Sequence, residues 1–229
     1  MKLKGILFDF NGTLYFDSRM HIDAFNLVFR ELGVSEHKDA YMIEKIFGRD
    51  NGTIFRQNVK ADATAEEIDA FSRRKEELYQ QLCRACPATS GLVKGAEELL
   101  DYLKEKKIPY CMATGSDLYN VAFYFDYLKL GRWFTMDNIV YCDKTYPGKP
   151  APDIYRIAAA RIGLEPAECL VFEDGTSGIL SANGASAGSV VLIHEEGYPS
   201  PLNGQTRVDR SFHDFTEWRS VLSDFGLLR

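Results

Sequence analysis

Long apolar runs are missing from the 229-residue sequence. A membrane-spanning helix needs about 18 or more consecutive apolar residues, and no segment of this chain reaches that length. The apolar run near the amino terminus ends at Asp9, which makes it too short for a signal peptide. We therefore expect a cytoplasmic protein for which a membrane is not a partner.

Concentrated positive charge is also absent. The chain has 27 Lys and Arg residues against 33 Asp and Glu residues, a formal net charge of −6, and no block of Lys or Arg. This balance argues against nucleic acid and anionic membrane surfaces as main partners, whereas a small anionic substrate needs only a few local cations. The five cysteines are odd in number and scattered, which is not the pattern of a disulfide framework.

Short apolar segments alternate with amphipathic helical patterns over most of the chain. The predicted strands are residues 5–8, 110–113, 139–142, 170–172 and 190–193, and clear helical patterns cover 95–106 and 153–162. Strands that alternate with helices in this way predict βαβ units and a parallel sheet. The expected fold class is therefore α/β, a Rossmann-like parallel sheet flanked by helices, with its chemistry at the carboxyl ends of the strands.

The interval from residue 17 to residue 90 breaks this alternation. It shows no convincing strand and carries helical periodicity instead, and Thr64 with Glu67 forms the S/T-x-x-E signature of a helix start. The sequence thus predicts an all-helical insertion after the first strand. We expect two domains, an α/β core from residues 1–16 and 91–229 and a helical domain from residues 17–90.

Carboxylates follow two of the predicted strands. Asp9 ends the first strand and precedes Asn11-Gly12, a pair that tolerates positive φ, while Glu173 and Asp174 end a later strand. Asp9 is either an ordinary turn residue or a nucleophile held at the edge of the sheet. Three acids at one edge would repel one another unless a cation lay among them, and hard oxygen ligands favour Mg²⁺.

Two further segments carry groups suited to phosphate binding. Thr114 and Gly115 follow the second predicted strand and open a helix, where a hydroxyl and backbone N–H groups can bind phosphate oxygens. Lys149 directly precedes a proline-restrained turn that enters the next helix. Each residue also has an ordinary structural interpretation, as a turn residue, an N-cap or an exposed lysine, and the segment alone favours neither interpretation.

In this order, the motifs DFNGT, the strand that ends at Thr114, GKPAPD and FEDG resemble those of the haloacid dehalogenase superfamily. The sequence looks most like the branch that contains β-phosphoglucomutase and phosphoglycolate phosphatase. The resemblance covers nearly the whole chain, and it implies an Asp9 nucleophile that forms an aspartyl-phosphate with Mg²⁺ as cofactor. The implied metal ligands are Asp9, Asn11 through its main-chain carbonyl, Glu173 and Asp174, and the implied phosphoryl-binding groups are Thr114, Gly115 and Lys149.

The same resemblance assigns the helical insertion the role of a type-1 cap. Such a cap closes over the site, excludes water and selects the substrate. The candidates for substrate contacts in this segment are His21, Arg49 and Lys45. Each of them is equally well explained as a surface residue.

Asn11 departs from the family pattern D-x-D-G-T of phosphatases, in which the second Asp is the general acid/base. An amide can neither protonate a leaving alkoxide nor deprotonate the attacking water. General acid/base catalysis is typically worth about 10²–10⁴-fold in rate, so we expect slow hydrolysis of alkyl phosphates. The main-chain carbonyl of Asn11 still offers a metal ligand.

The sequence therefore predicts a hydrolase, a Mg²⁺-dependent phosphatase that acts on a small phosphorylated metabolite through Asp9. A substrate with a good leaving group, such as an acyl phosphate, would need no acid at position 11. One alternative is a catalytically impaired protein that binds phosphorylated ligands. A phosphonatase-like activity, with Lys45 or Lys60 forming a Schiff base, is a second alternative. A β-phosphoglucomutase-like activity is a third, although it requires the acid/base that Asn11 lacks.

Overall fold

The computed structural model describes residues 2–47, 49–87, 90–198, 202, 204 and 206–229. The chain forms two compact units. Met1–Phe16 and Gly91–Arg229 make up one, here the core unit, and Asp17–Ser90 make up the other, here the helical unit.

The core unit is built on a parallel sheet. Among the described residues the sheet has six strands, in the order β3-β2-β1-β4-β5-β6. The strands are β1 (Gly5–Phe8), β2 (Tyr110–Ala113), β3 (Ile139–Val140), β4 (Cys169–Glu173), β5 (Ser189–Ile193) and β6 (Arg210–Phe212). The strand order reverses between β1 and β4, and the carboxyl ends of strands at such a switch point are where α/β sheets bind ligands. The predicted fold class is confirmed.

The register aligns the carboxyl ends of the central strands. Phe8, the last residue of β1, pairs with Met112 on one side and with Phe172 on the other. Every residue of β1, β2, β4 and β5 is buried, as expected for parallel strands covered on both faces. Phe8 also stacks on Phe172, with 5.3 Å between ring centroids. The residues that follow β1 and β4 therefore leave the sheet side by side.

The helical unit contains helices and no strand within its described residues. They are α1 (Ser18–Glu31), α2 (Asp39–Tyr41), which the π-helical turn Met42–Ile46 continues, α3 (Asn51–Asn58) and α4 (Ala65–Ala85). The predicted capping box is confirmed, since the Glu67 N–H donates to Thr64 Oγ1 and the Thr64 N–H donates to Glu67 Oε2. Phe25 and Phe29 of α1 pack against Phe71 of α4 and form the core of the unit.

Five α-helices accompany the sheet in the described part of the core unit, besides short 3-10 turns. They are α5 (Ala96–Glu105), α6 (Leu118–Tyr127), α7 (Asp153–Arg161), α8 (Thr176–Gly184) and α9 (Trp218–Asp224). The helical patterns at 95–106 and 153–162 thus correspond to α5 and α7, each within one residue at either end. Ile154, Ala158 and Ala159 of α7 pack on Leu7 and Val171 in a single apolar cluster.

Two strands differ from the sequence-based expectation by more than one residue at an end. β3 ends at Val140 instead of at residue 142, because the Cys142 N–H donates to Ser116 O at 2.9 Å and leaves the ladder. β6 was not predicted at all, since its three residues are polar or half-exposed and carry no apolar run. It is one of the two edge strands in the described sheet, and short, polar strands are common at sheet edges.

No helix in the described ranges is long and apolar enough to span a membrane. The five cysteines all lie in described parts of the chain, and all five are free thiols.

Candidate active site

Asp9 follows β1 at the point where the strand order reverses. Its N–H donates to Phe172 O at 2.9 Å, which keeps it beside the end of β4. The chain then turns at Gly12, where φ is +80° and the N–H donates to Tyr15 O at 2.7 Å. A Cβ at position 12 would lie 2.2 Å from Asp174 Oδ2. Glycine is therefore needed there both for the backbone angle and for the close approach to a carboxylate.

Asp9, Glu173 and Asp174 bring carboxylate oxygens within 4.8 Å of one another. Burial raises the pKa of Asp9 to about 7; the nearby Lys149 charge opposes this rise, and the Glu173 charge adds to it. Burial, together with the charges of Glu173 and Asp9, raises the pKa of Asp174 well above its usual value. The described residues contain no other group of three acidic, histidine or cysteine side chains this close together.

Lys149 lies between two of these carboxylates. Its ammonium donates to Asp9 Oδ1 and to Glu173 Oε1, both at 2.5 Å. Burial disfavours the charged lysine, but the negative charges of Asp9 and Glu173 outweigh this effect and raise the pKa of Lys149 above its usual value. The lysine therefore stays protonated and partly offsets the charge of the acidic cluster.

Glu173 is the most extensively hydrogen-bonded of the three acids. Besides Lys149, its Oε1 accepts from the Tyr155 hydroxyl at 2.8 Å, and its Oε2 accepts from the N–H groups of Asp174 and Gly175 at 2.9 and 3.0 Å. Tyr155 is fully buried on α7, and burial together with the charge of Glu173 raises its pKa well above that of a free phenol. Tyr155 thus remains a hydrogen-bond donor.

Thr114 follows β2 on the other side of β1. Its N–H donates to Val140 O at 2.9 Å, and its side chain is fully buried while the next residue, Gly115, is exposed. The Thr114 hydroxyl accepts from the Ser116 N–H at 3.1 Å. This tight turn places a hydroxyl and an exposed backbone segment at the carboxyl edge, as phosphoryl binding would require.

The side chain of Asn11 lies among hydroxyl groups. Its Nδ2 donates to the Tyr124 hydroxyl at 2.8 Å, and its Oδ1 accepts from Ser116 Oγ at 2.9 Å and from Thr114 Oγ1 at 3.4 Å. These contacts assign the amide orientation and tie the turn after β1 to the turn after β2. Neither the Asn11 amide nor these hydroxyl groups is a carboxyl group that could act as the general acid/base.

The acidic cluster fits a divalent cation. All three side chains offer hard oxygen donors, and burial, which raises the pKa of both Asp9 and Asp174, disfavours their charged forms unless a cation lies among them. The Gly12 turn brings the main chain directly against the carboxylate of Asp174.

Residues 3–186 match the family described as haloacid dehalogenase-like hydrolase. The chain belongs to this family.

Solved structures and curated relatives agree with this assignment. A haloacid dehalogenase-like hydrolase of family IA, variant 3, from Entamoeba histolytica HM-1:IMSS is 31% identical, with a TM-score of 0.84 over 94% of this chain and 95% of that one. The CbbY protein of Rhodobacter sphaeroides, solved as a mutant in complex with xylulose-(1,5)bisphosphate, is 26% identical, with a TM-score of 0.78 over 94% and 96%. A probable pseudouridine-5'-phosphatase of Drosophila melanogaster is 28% identical over 98% of this chain and 92% of its own. These relatives confirm the predicted superfamily and phosphatase-like branch, and they support a hydrolase of the phosphatase type.

The helical unit of this hydrolase contains a buried polar cluster of its own. His21 stacks on Tyr79, with 4.2 Å between ring centroids, and its Nε2 lies 3.3 Å from Asp17 Oδ2. Its Nδ1 lies 2.8 Å from Nζ of Lys75, a buried lysine that also contacts Glu76 at 3.0 Å. Since a lysine ammonium can only donate, Nδ1 of His21 is the acceptor in this contact.

The other candidates in the helical unit lie on its surface. Arg49 donates to Gln57 Oε1 at 2.8 Å, Lys45 pairs with Glu44 at 2.5 Å, and Lys60 pairs with Glu67 at 2.7 Å. His21 and Arg49 therefore both already have partners within their own unit.

The structure brings together six of the sequence-predicted site residues. These are Asp9, Asn11, Thr114, Lys149, Glu173 and Asp174. Sequence reasoning missed Ser116, Tyr124, Tyr155 and Lys75 as members of polar clusters. Ser116 could have been found from its position directly after Thr114 and Gly115. The two tyrosines and Lys75 lie within helices, where the periodicity indicates only which residues form the apolar face.

Proposed function

We propose that this hydrolase is a Mg²⁺-dependent phosphatase of small phosphorylated metabolites, with Asp9 as the nucleophile. The observation that carries the proposal is the contact of the buried Asp9 with the part-buried Lys149 beside two further carboxylates. A nucleophilic carboxylate needs its charge held in place, and a transferring phosphoryl group needs cations around it. The relatives, a probable pseudouridine-5'-phosphatase and a protein crystallised with a sugar bisphosphate, support phosphorylated sugars as the substrate class.

The reaction begins at a carboxylate oxygen of Asp9. This oxygen attacks phosphorus, the bond from phosphorus to the leaving oxygen breaks, and the leaving group departs with the electron pair. In the second step the oxygen of a water molecule attacks phosphorus, the bond to Asp9 breaks, and the carboxylate is restored with release of inorganic phosphate. The water protons pass to phosphate and solvent.

The residues around Asp9 bind and orient the phosphoryl group. Lys149 places a fixed positive charge beside the attacking oxygen, so it contacts a phosphoryl oxygen as this group approaches. The Thr114 hydroxyl and the N–H groups of the exposed turn at Gly115 provide further donors. A Mg²⁺ ion held by Asp9, Asp174 and the Asn11 carbonyl, with the charge of Glu173 beside it, would neutralise charge on the phosphoryl group and on the acids.

Position 11 selects the leaving group. An amide held by three hydroxyls provides no proton for a departing alkoxide, so substrates with a stable leaving group, such as acyl phosphates, are hydrolysed fastest. Asn11 therefore contributes by orienting the turns of the site, and it performs no acid/base chemistry.

We also propose that the helical unit Asp17–Ser90 is the substrate-selecting cap, with His21 and Arg49 as its candidate substrate contacts. If so, Arg49→Ala should raise KM for a phosphorylated sugar more than KM for acetyl phosphate, which is too small to need those contacts. If Arg49→Ala leaves the KM of each substrate at its value in the unmodified protein, Arg49 has no role in substrate binding.

One alternative has a specific observation in its favour. Because Asn11 lacks a carboxyl group, the chain is also suited to bind a phosphorylated ligand without turning it over. Phosphonatase-like chemistry has less support, since Lys45 and Lys60 are both ion-paired on the surface of the helical unit. A β-phosphoglucomutase-like activity would need an acid/base at position 11 in both directions.

Steady-state assays separate the phosphatase from the binding protein. Phosphate release from acetyl phosphate and from p-nitrophenyl phosphate is measured with Mg²⁺ for the unmodified protein, for Asp9→Asn and for the matched control Asp137→Asn, an exposed residue of the same unit. We expect turnover that Asp9→Asn abolishes and Asp137→Asn retains. If the unmodified protein turns over neither substrate faster than Asp9→Asn does, but binds a phosphorylated ligand, it is a binding protein and not a phosphatase.

A further inference from the structure

Tyr155 is a fully buried residue that reaches the site from α7. Its hydroxyl donates to Glu173 Oε1 at 2.8 Å, and Nζ of Lys149 lies 5.1 Å from the centre of its ring. One side chain therefore contacts both members of the Lys149–Glu173 ion pair, through its oxygen and through its ring face.

Glu173 accepts hydrogen bonds from four directions. Its Oε1 accepts from Lys149 at 2.5 Å and from Tyr155 at 2.8 Å, and its Oε2 accepts from the N–H groups of the next two residues at 2.9 and 3.0 Å. A carboxylate offers about four lone-pair directions, so all of them are used. The carboxylate fits closely against α8, where a Cβ on Gly178 would lie 1.6 Å from Oε1.

Of these four donors, the two N–H groups fix Oε2, while Tyr155 is the fixed donor on Oε1. The Lys149 side chain is long and flexible, so it follows the carboxylate instead of orienting it. The position of the Lys149 ammonium beside Asp9 thus depends on where Oε1 of Glu173 is held.

We propose that the Tyr155 hydroxyl is a positioning group that holds Glu173 in the orientation that keeps the Lys149 ammonium against Asp9. The inference rests on the proposed function, because it gives the Lys149–Asp9 contact a part in phosphoryl transfer. Tyr155 acts through Glu173 and Lys149, and the main contribution of Glu173 is to anchor the lysine.

Tyr155→Phe tests the proposal because it removes one oxygen atom and keeps the ring beneath Lys149. The matched control is Tyr110→Phe, at the opposite end of β2, where a buried tyrosine donates to Trp133 O at 2.6 Å. Both variants lose one buried hydroxyl hydrogen bond, but only Tyr155 contacts the ion pair.

The first readout needs no catalytic activity. Nitrogen-15 NMR of the lysine ammonium groups, with the Lys149 signal assigned from its loss in Lys149→Arg, measures how fast the ammonium protons exchange with water. A part-buried ammonium held by two carboxylates exchanges slowly, and we expect about tenfold faster exchange or loss of the signal in Tyr155→Phe. Tyr110→Phe should leave the Lys149 signal as it is in the unmodified protein.

The second readout is kinetic. With acetyl phosphate and saturating Mg²⁺, we expect kcat of Tyr155→Phe to fall about tenfold while KM and the Mg²⁺ affinity, measured by calorimetry without substrate, change less than about twofold. A purely structural role would lower the melting temperature and the fraction of active protein, but would not alter the Lys149 exchange rate or kcat per folded molecule.

An unchanged Lys149 signal in folded Tyr155→Phe overturns the inference, whatever the activity. If the unmodified protein shows no turnover beyond Asp9→Asn, the proposed function fails, and the ammonium signal still decides the positioning role by itself. If Tyr155→Phe does not fold, Glu173→Gln takes its place, because it removes the anionic anchor of Lys149; a Lys149 signal that survives in Glu173→Gln contradicts the proposal equally.

Discussion

At the scale of single residues, the side chain at position 11 decides which leaving groups the site can handle. Asn11 donates to Tyr124 and accepts from Ser116, and hydroxyl neighbours of this kind would also accommodate a carboxylate in the same place. We expect Asn11→Asp to raise the hydrolysis of alkyl phosphates by about 10²–10⁴-fold, because it supplies the missing proton donor. Hydrolysis of acetyl phosphate should change far less.

Rates on both substrates, measured side by side, check this prediction. The control is Asn183→Asp, which adds the same charge to a residue of α8 that binds the Arg207 backbone. Equal rates on the alkyl phosphate for Asn11→Asp and for the unmodified protein would show that position 11 does not limit the chemistry.

The titration of Asp9 makes stability depend on pH when divalent cations are removed. Folding raises its pKa from 3.8 to about 7, so between these values the folded chain retains a proton that the unfolded chain releases. The contribution of Asp9 to the free energy of unfolding should therefore fall as pH rises from about 4 to about 7, by roughly 4 kcal/mol for a shift of about three units. Urea denaturation in EDTA measures this slope.

Asp174 adds to the same slope, since its pKa is also raised in the folded chain. Asp9→Asn should flatten the slope and Asp137→Asn should preserve it. The same steep loss of stability in both variants would mean that Asp9 is not the titrating group.

At the scale of elements, the start of α4 is the clearest local prediction. The Thr64 side chain accepts from the Glu67 N–H, and the Glu67 side chain accepts from the Thr64 N–H in return. Thr64→Ala should lower the free energy of unfolding of the helical unit by about 1 kcal/mol, as is typical for a lost N-cap. Chemical denaturation followed by circular dichroism measures the change, with Ser35→Ala, an exposed loop residue of the same unit, as control. A loss no larger than that of the control would refute the capping contribution.

The elements also show which features the sequence could predict. β1, β2, β4 and β5 are fully buried, so their apolar runs stand out, and α5 and α7 follow from their periodicity. β6 escaped prediction because its pairing with β5 is made by the backbone, with Val191 opposite Arg210 and no apolar pattern to mark it. β3 was predicted too long because Cys142 continues the apolar pattern while its N–H bonds to another loop.

At the scale of the whole molecule, the site draws on turns that are distant in sequence. Asp9 and Glu173 could be proposed because acids at the ends of apolar strands are conspicuous, and Lys149 because it precedes a proline-restrained turn; all three also resemble known motifs. The partners that orient them could not, because the hydroxyls of Tyr124 and Tyr155 lie on helices, where a tyrosine fits the apolar pattern. Their roles follow from the distances of these hydroxyls to Asn11 and Glu173, which the folded sheet sets and the sequence does not reveal.

Metal binding should stabilise the molecule as a whole. If Mg²⁺ binds among Asp9, Glu173 and Asp174, the folded state gains about 2.7 kcal/mol at a hundredfold excess over Kd. We expect Mg²⁺ to raise Tm by more at pH 8 than at pH 5, since the cluster is more fully ionised at the higher pH. Differential scanning fluorimetry measures this, with Asp174→Asn losing the shift and Asp137→Asn keeping it. An identical shift in both variants would place the bound ion elsewhere.

The covalent state of Asp9 tests the central claim most directly. Unmodified protein is mixed with acetyl phosphate and Mg²⁺, quenched in acid within a turnover and analysed by intact-mass and peptide mass spectrometry, alongside Asp9→Asn. The account predicts the added mass of one phosphoryl group on the peptide that contains Asp9, and none on that peptide in Asp9→Asn. Phosphate release by Asp9→Asn at the rate of the unmodified protein, with no adduct in either, would contradict it.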